Sequence, residues 1–92
     1  MITCDDRCCR ISGAVTVDTV GGLLRELRPR IASGSTTLDF SAVERVDSAA
    51  LALVFSAMRQ AAQAGHALEC TGLPESFTTL AELYGVAELL PA

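Results

Sequence analysis

The apolar residues of this chain change their spacing several times, and each change marks the start of a new predicted element. The segment from about Cys8 to Val17 is rich in β-branched residues, which predicts a strand with a bend at Gly13. Residues 2–4 have a similar character and predict an additional edge strand. Beyond them the spacing becomes helical, with an apolar stripe formed by Val20, Leu23, Leu24, Leu27 and Ile31.

The first helix has signals at both ends. Thr19 or Asp18 can cap its start, because short polar side chains accept hydrogen bonds from the first N–H groups of a helix. Pro29 disfavours helical geometry at the residue before it, and a turn cluster of Ser and Gly follows. We therefore expect this helix to stop or kink near residues 28–32.

The middle of the chain predicts a short strand, a connection and a second helix. Residues 36–40 have strand character, and residues 41–46 are expected to form the connection. Asp47 or Ser48 is a suitable cap for the helix that follows, and Gly65 supplies its stop.

The C-terminal part repeats this order. Residues 67–71 predict a strand, Pro74 the start of a third helix and Gly85 its end, while residues 86–90 predict a last strand or a tail over the core. Alternating strands and helices with short connections predict an α/β fold. We expect one domain, residues 1–92, with a mostly parallel central sheet of about four to five strands and three main helices.

Charge and hydropathy narrow the class of partner. Eleven acidic residues against seven basic residues give a formal net charge of −4, which disfavours nucleic acid. The longest apolar run, residues 49–55, is far short of the roughly 18 to 20 residues needed to cross a bilayer. No direct membrane insertion is expected. The N-terminus lacks the basic and apolar regions of a secretory signal, which predicts a cytoplasmic protein.

Metal and catalytic chemistry have little support in the sequence. Among the four cysteines only Cys8 and Cys9 are close, and neighbouring side chains on a strand point to opposite faces, where they cannot easily chelate one ion. We expect the cysteines to be small buried hydrophobic residues in a reducing compartment. His66, the only histidine, is expected in a solvent-facing turn. Without a set of nucleophile, base and orienting residue, the sequence predicts no enzyme, and no cofactor or metal.

The remaining chemistry lies at the start of the second helix, where Asp47 and Ser48 follow Val46. Local rules explain both residues as caps, each worth about 1 kcal/mol. The same position places a hydroxyl beside free backbone N–H groups and a partial positive charge, which would stabilise an added phosphate. The two interpretations are compatible, so this pair is the candidate site.

Residues 38–43 and 46–51 together resemble the signature of the STAS domain family, which includes anti-sigma factor antagonists and sulfate-transporter tails. In that family a strand carrying Asp leads through a short loop to Asp-Ser/Thr-x-Gly-Leu at a helix start. This chain departs from the pattern at Ala50, where Gly is usual. The resemblance implies a STAS fold and a regulatory partner protein without catalytic activity. It also implies a partner-binding or phosphoacceptor surface. Four residues, Asp47, Ser48, Ala49 and Ala50, are expected to form it, and Asp39 and Ser41 are expected to be its supporting strand and loop residues.

Within the family, the compact length and residues 78–86 most resemble the MlaB branch, cytosolic subunits of ABC transporters that move phospholipid and maintain outer-membrane lipid asymmetry. This resemblance implies that the chain binds and regulates or stabilises the ATPase subunit of such a complex, and is peripheral to the inner membrane. A second hypothesis is an anti-sigma factor antagonist whose Ser48 is phosphorylated by a partner kinase. A third, a small-molecule-binding or catalytic α/β domain, is disfavoured by the missing nucleophile, base and cofactor motif.

Overall fold

The chain starts with an antiparallel pair of strands and continues with helices and strands in alternation. A computed structural model describes residues 1–90, so the last two residues of the predicted domain lie outside the described residues. The elements are β1 (Ile2–Asp5), β2 (Cys8–Val15), α1 (Val20–Ala32), β3 (Thr37–Val46), α2 (Ala49–Gln63), β4 (Glu69–Thr71) and α3 (Glu75–Leu83), followed by a 3-10 helix, Ala87–Leu89.

The strands form one four-stranded sheet in the order β1-β2-β3-β4. β1 is antiparallel to β2, whereas β2, β3 and β4 are parallel to one another. Parallel neighbours require a crossover connection, which α1 supplies between β2 and β3 and α2 between β3 and β4. The predicted mostly parallel sheet with three main helices is therefore confirmed.

The sheet buries one face under the helices and leaves the other face polar. On β2, Cys9 and Ile11 are fully buried, whereas Arg10 between them is exposed. Neighbouring strand residues point to opposite faces, so this alternation separates the core from the open face. Phe40 of β3 and Phe77 of α3 are also fully buried, and their ring centroids lie 5.9 Å apart. This aromatic pair packs α3 against the sheet.

Strand β3 is longer than the sequence pattern predicts. The expectation of a connection over residues 41–46 is wrong, because they continue the strand to Val46, which pairs with Val15 of β2. Their side chains are mostly exposed or half-buried, so the apolar alternation that marks a strand is lost. Pairing with β2 extends the strand instead. Gly13 has a φ of +84° beside a register shift, at the predicted bend.

The helix boundaries agree with most of the predicted signals. α1 continues through Pro29 and ends at Ala32, inside the expected window. Gly65 and Gly85 follow α2 and α3 with φ of +87° and +71°, the left-handed conformation that commonly ends a helix. Thr19 occupies the cap position of α1. Its hydroxyl accepts a hydrogen bond from the N–H of Thr16, in the preceding loop, at 3.0 Å and caps no N–H of the helix.

The apolar tail, residues 86–90, is not a strand. It contains the 3-10 helix, with Val86 and Leu90 partly buried against the core and Leu89 58% exposed. The expectation of a tail over the core is therefore correct, and the alternative of a last strand is wrong.

Two of the four cysteines differ from the expectation of separate buried thiols. Cys4 and Cys9 lie directly opposite each other on β1 and β2 and form a disulfide. The other two are free thiols. Cys70 is buried as expected, and burial raises its pKa to about 12, whereas Cys8 is half-buried. The sequence spacing gave no indication of the pair, because their proximity depends on the register of β1 against β2.

His66 is half-buried and links the loop after α2 to the end of α1. Its Nε2 lies 2.8 Å from the carbonyl oxygen of Ile31, and its Nδ1 lies 3.1 Å from that of Ala67. These two acceptors, Ile31 first, raise the pKa of His66, because only the imidazolium donates from both nitrogens. The expected solvent-facing turn residue therefore has a structural role.

Candidate functional site

The candidate site lies at the carboxyl edge of the sheet, where β2 and β3 end side by side. Val15 pairs with Val46 in the last register position, and α2 starts at Ala49. The loop of residues 16–19 leaves β2 at the same edge. In open α/β sheets, the crevice outside the carboxyl ends of the strands is where ligands commonly bind.

Asp47 is held by hydrogen bonds on both carboxylate oxygens. Oδ1 accepts the N–H of Ala49 at 2.8 Å, and Oδ2 accepts the N–H of Val17 at 3.0 Å. The backbone N–H of Asp47 donates to the carbonyl of Val15 at 3.3 Å. These contacts join the end of β2, the following loop and the start of α2. Asp47 therefore fixes the shape of the site.

Ser48 has a different role from its neighbour. It is the residue before the first turn of α2, it is exposed, and its side chain makes no capping hydrogen bond. Sequence rules allow either residue of the pair to cap the helix. In the folded chain the carboxylate of Asp47 serves the helix start, and the Ser48 hydroxyl remains available at the surface.

The first N–H groups of α2 are already occupied. Besides the N–H of Ala49, that of Ala50 donates to the Asp47 carbonyl at 3.0 Å and that of Leu51 to the Ser48 carbonyl at 3.1 Å. The expectation that free N–H groups would stabilise a phosphate on Ser48 is therefore wrong. A phosphate there would instead lie beside the Asp47 carboxylate, where like charges repel.

The neighbours of Ser48 divide between surface and core. Ala49 is half-buried, whereas Ala50 is fully buried. The expectation that Ala50 contributes to the contact surface does not agree with this burial, because its methyl group lies in the core cluster. Val17 is 71% exposed and adjoins the pair through its bond to Asp47. Sequence reasoning missed Val17 because it assigned this residue to the strand.

Asp39 and Ser41 lie away from the helix start. A strand rises about 3.3 Å per residue, which separates Asp39 from Asp47 by roughly 25 Å. Asp39 Oδ1 accepts the N–H of Ser41 at 2.9 Å, and Oδ2 lies 3.2 Å from Nε of Arg10 on the open face of the sheet. The Ser41 N–H, with the Arg10 guanidinium, lowers the pKa of Asp39. These contacts link β3 to β2, and the supporting role expected of Asp39 and Ser41 stays a prediction.

Across residues 1–90, no group of three or more His, Cys, Asp and Glu side chains is arranged to hold a metal ion. None of the helices described has the length and apolarity that crossing a membrane requires.

An open α/β sheet with a hydroxyl at the helix start agrees with the STAS class. The chain belongs to this family, since the family model described as "Mlab, STAS domain" matches residues 5–91. It is similar to the intermembrane phospholipid transport system binding protein MlaB of Escherichia coli (strain K12), with 36% identity over 69 residues, 74% of this chain and 71% of that protein. The MlaB protein of Shigella flexneri matches with the same values.

The fold also matches a solved structure. The anti-sigma factor antagonist SpoIIAA in its unphosphorylated form superposes with a TM-score of 0.72, covering 96% of this chain and 82% of that chain. The sequence identity is 17%, so the likeness concerns the fold alone. The predicted STAS fold is thereby confirmed.

Proposed function

We propose that this chain is a single-domain, non-catalytic STAS subunit that binds the ATPase subunit of a phospholipid-transport ABC complex on the cytoplasmic side. Its membership of the family and its 36% identity to MlaB support this class of partner. The observation that carries the proposal is the exposed Ser48, whose hydroxyl makes no capping bond, beside the exposed Val17. The contact with the ATPase is centred on these two residues.

The surface at the start of α2 suits docking because its side chains are short and its two segments are joined by hydrogen bonds. Ser48 and Ala49 carry short side chains, so a partner backbone can approach the start of α2 closely. Val17 adds apolar area, and complete burial of such a side chain contributes about 1.5 to 3 kcal/mol. Asp47 holds both segments in place before binding, which reduces the ordering cost of association.

The proposal is tested by measuring the affinity of the purified chain for the ATPase subunit of an Mla-type phospholipid-transport complex from the same organism. We expect Ser48→Glu to weaken binding by at least about tenfold, because it places a charge in a packed contact. Ser76→Glu is the matched control, since Ser76 is also exposed and lies in the first turn of α3. Because the new carboxylate would lie beside that of Asp47, the urea midpoint of each variant is measured as well, which separates a loss of binding from a loss of stability. Undiminished binding of Ser48→Glu contradicts the proposal.

The alternative is an anti-sigma factor antagonist that a partner kinase switches by phosphorylating Ser48. The available hydroxyl favours this alternative, because a kinase needs an accessible acceptor. Phosphorylation would add charge beside Asp47 and so would break a contact, not create one. Mass spectrometry of the chain isolated from its own cells distinguishes the two functions. Phosphate on Ser48, together with a kinase as the bound partner, supports the alternative.

A further inference from the structure

A second surface lies between α1 and α2, at the opposite end of α2 from Ser48. A groove of about 260 Å³ is open there. Arg59, on its rim, stands eleven residues after Ser48, which is about 16 Å along a helix. The floor is formed by Leu27, Ile31 and Ala57, which are at most 1% exposed. Leu24, which is only partly buried, adds an accessible apolar side chain to a lining that is otherwise largely polar, and the groove is separate from the proposed ATPase contact.

The rim of this groove is basic although the whole chain is acidic. Arg28 and Arg59 line it together with Gln60, and no acidic residue does. Within residues 1–90, Arg10 and Asp39 form an ion pair, whereas Arg28 and Arg59 pair with no carboxylate of the described residues. α1 and α2 together carry four arginines and one glutamate, against a net charge of −4 for the chain.

The arrangement of charges on α1 strengthens this contrast. Its one carboxylate, Glu26, lines a different recess on the β1 side of the helix, together with Arg30. Arg28 faces the groove instead. The groove therefore presents guanidinium and amide donors around an apolar floor without a competing carboxylate.

We infer that this groove binds an acidic amphipathic segment of a partner protein. Guanidinium groups pair with carboxylates in a two-pronged geometry, so Arg28 and Arg59 would each hold a Glu or Asp side chain. An apolar side chain of the same segment would pack against Leu24, which lines the groove and is only partly buried. A membrane surface fits less well, because interfacial binding requires protruding apolar residues, whereas the apolar floor of the groove is recessed. The inference stands independently of the ATPase proposal.

The test is an NMR titration of the full chain with a short synthetic peptide of Leu and Glu residues at helical spacing. We expect shift changes confined to α1 and the second half of α2. Affinity should fall by at least about tenfold when Gln replaces every Glu of the peptide, or in the Arg28→Gln/Arg59→Gln double variant, since one lost charged contact corresponds to about 1.4 kcal/mol or more. Arg25→Gln/Arg30→Gln is the matched control, because it also removes two positive charges, both from α1 and both outside the groove.

Several results would overturn the inference. These are equal binding of the neutral peptide, an equal loss of affinity in the Arg25→Gln/Arg30→Gln control, or the absence of shift changes at millimolar peptide. Binding of phosphatidylglycerol vesicles that depends on Arg28 and Arg59, without peptide binding, would assign the groove to a membrane surface instead. Because no part of the titration uses the ATPase, a failure of this inference is distinguishable from a failure of the proposed function.

Discussion

Replacing each member of the Asp47–Ser48 pair by alanine separates structural support from surface function. Asp47→Ala removes the acceptors of two backbone N–H groups, one in the loop after β2 and one at the start of α2. Ser48→Ala removes a hydroxyl that makes no capping bond. Local sequence rules predict similar costs, since Asp and Ser are both favoured helix caps. The structure predicts very different costs.

The magnitudes follow from the contacts. A hydrogen bond to a charged group contributes about 1.5 to 3 kcal/mol, and Asp47 is half-buried, so water replaces part of what is lost. We therefore expect Asp47→Ala to reduce the free energy of unfolding by about 2 to 3 kcal/mol. Ser48→Ala should stay within about 0.5 kcal/mol, as for an exposed surface substitution. For a domain of this size the larger loss lowers the Tm by about 10 to 20 °C.

Urea denaturation followed by far-UV circular dichroism measures these differences. Asp47→Asn is an informative third variant, because the amide keeps one acceptor oxygen and should lose about half as much stability as Asp47→Ala. If Ser48→Ala destabilises the chain as much as Asp47→Ala does, the hydroxyl has a structural partner. The division of roles between the two residues would then be wrong.

Three further predictions concern the scaffold. Gly72→Ala should reduce the free energy of unfolding by roughly 2 kcal/mol or more, because φ is +66° and a Cβ would lie 2.8 Å from a backbone nitrogen of β3. Gly65→Ala, where φ is +87° and the space around a Cβ is open, should reduce it by less in the same denaturation assay. The raised pKa of His66 stabilises the fold below its unfolded pKa of about 6.5, and this contribution is lost as pH rises through the folded pKa. The free energy of unfolding, measured across this range, should therefore fall more steeply with pH in the parent chain than in His66→Gln. Without reductant, Cys4→Ser should reduce the free energy of unfolding by up to about 2 kcal/mol, which is the loop-closure contribution of the Cys4–Cys9 disulfide. Compared with the reduced parent chain, it should lose no stability. Equal stability of the oxidised and the reduced parent chain would contradict this.

The helices were predictable because their signals are local. The apolar stripe of α1 and the glycines after α2 and α3 act within one or two turns, where propensity and capping decide the structure. The second half of β3 was not predictable in this way. It depends on hydrogen bonds to β2, about thirty residues earlier in the chain, and its own pattern lacks a continuous buried face.

Local sequence signals are also insufficient to predict the roles of the residues in the candidate site. Residue types alone mark the pair Asp47 and Ser48 as polar groups at a helix start. They do not decide which side chain serves the helix, because one acceptor of Asp47 is satisfied by the N–H of Val17, thirty residues away. Likewise, the inward direction of Ala50 depends on where α2 packs against the sheet.

This division of roles has a consequence for regulation. Because the Asp47 carboxylate supports both the loop and the helix, a change at Ser48 would alter the proposed contact surface without removing a hydrogen bond that the fold requires. If the proposed docking surface is correct, substitutions at Ser48 should weaken partner binding while the stability of the chain is preserved. A substitution at Asp47 should instead reduce stability and partner binding together, since it releases Val17 from the same surface. Measuring both quantities for the two positions separates a docking residue from the residue that positions it.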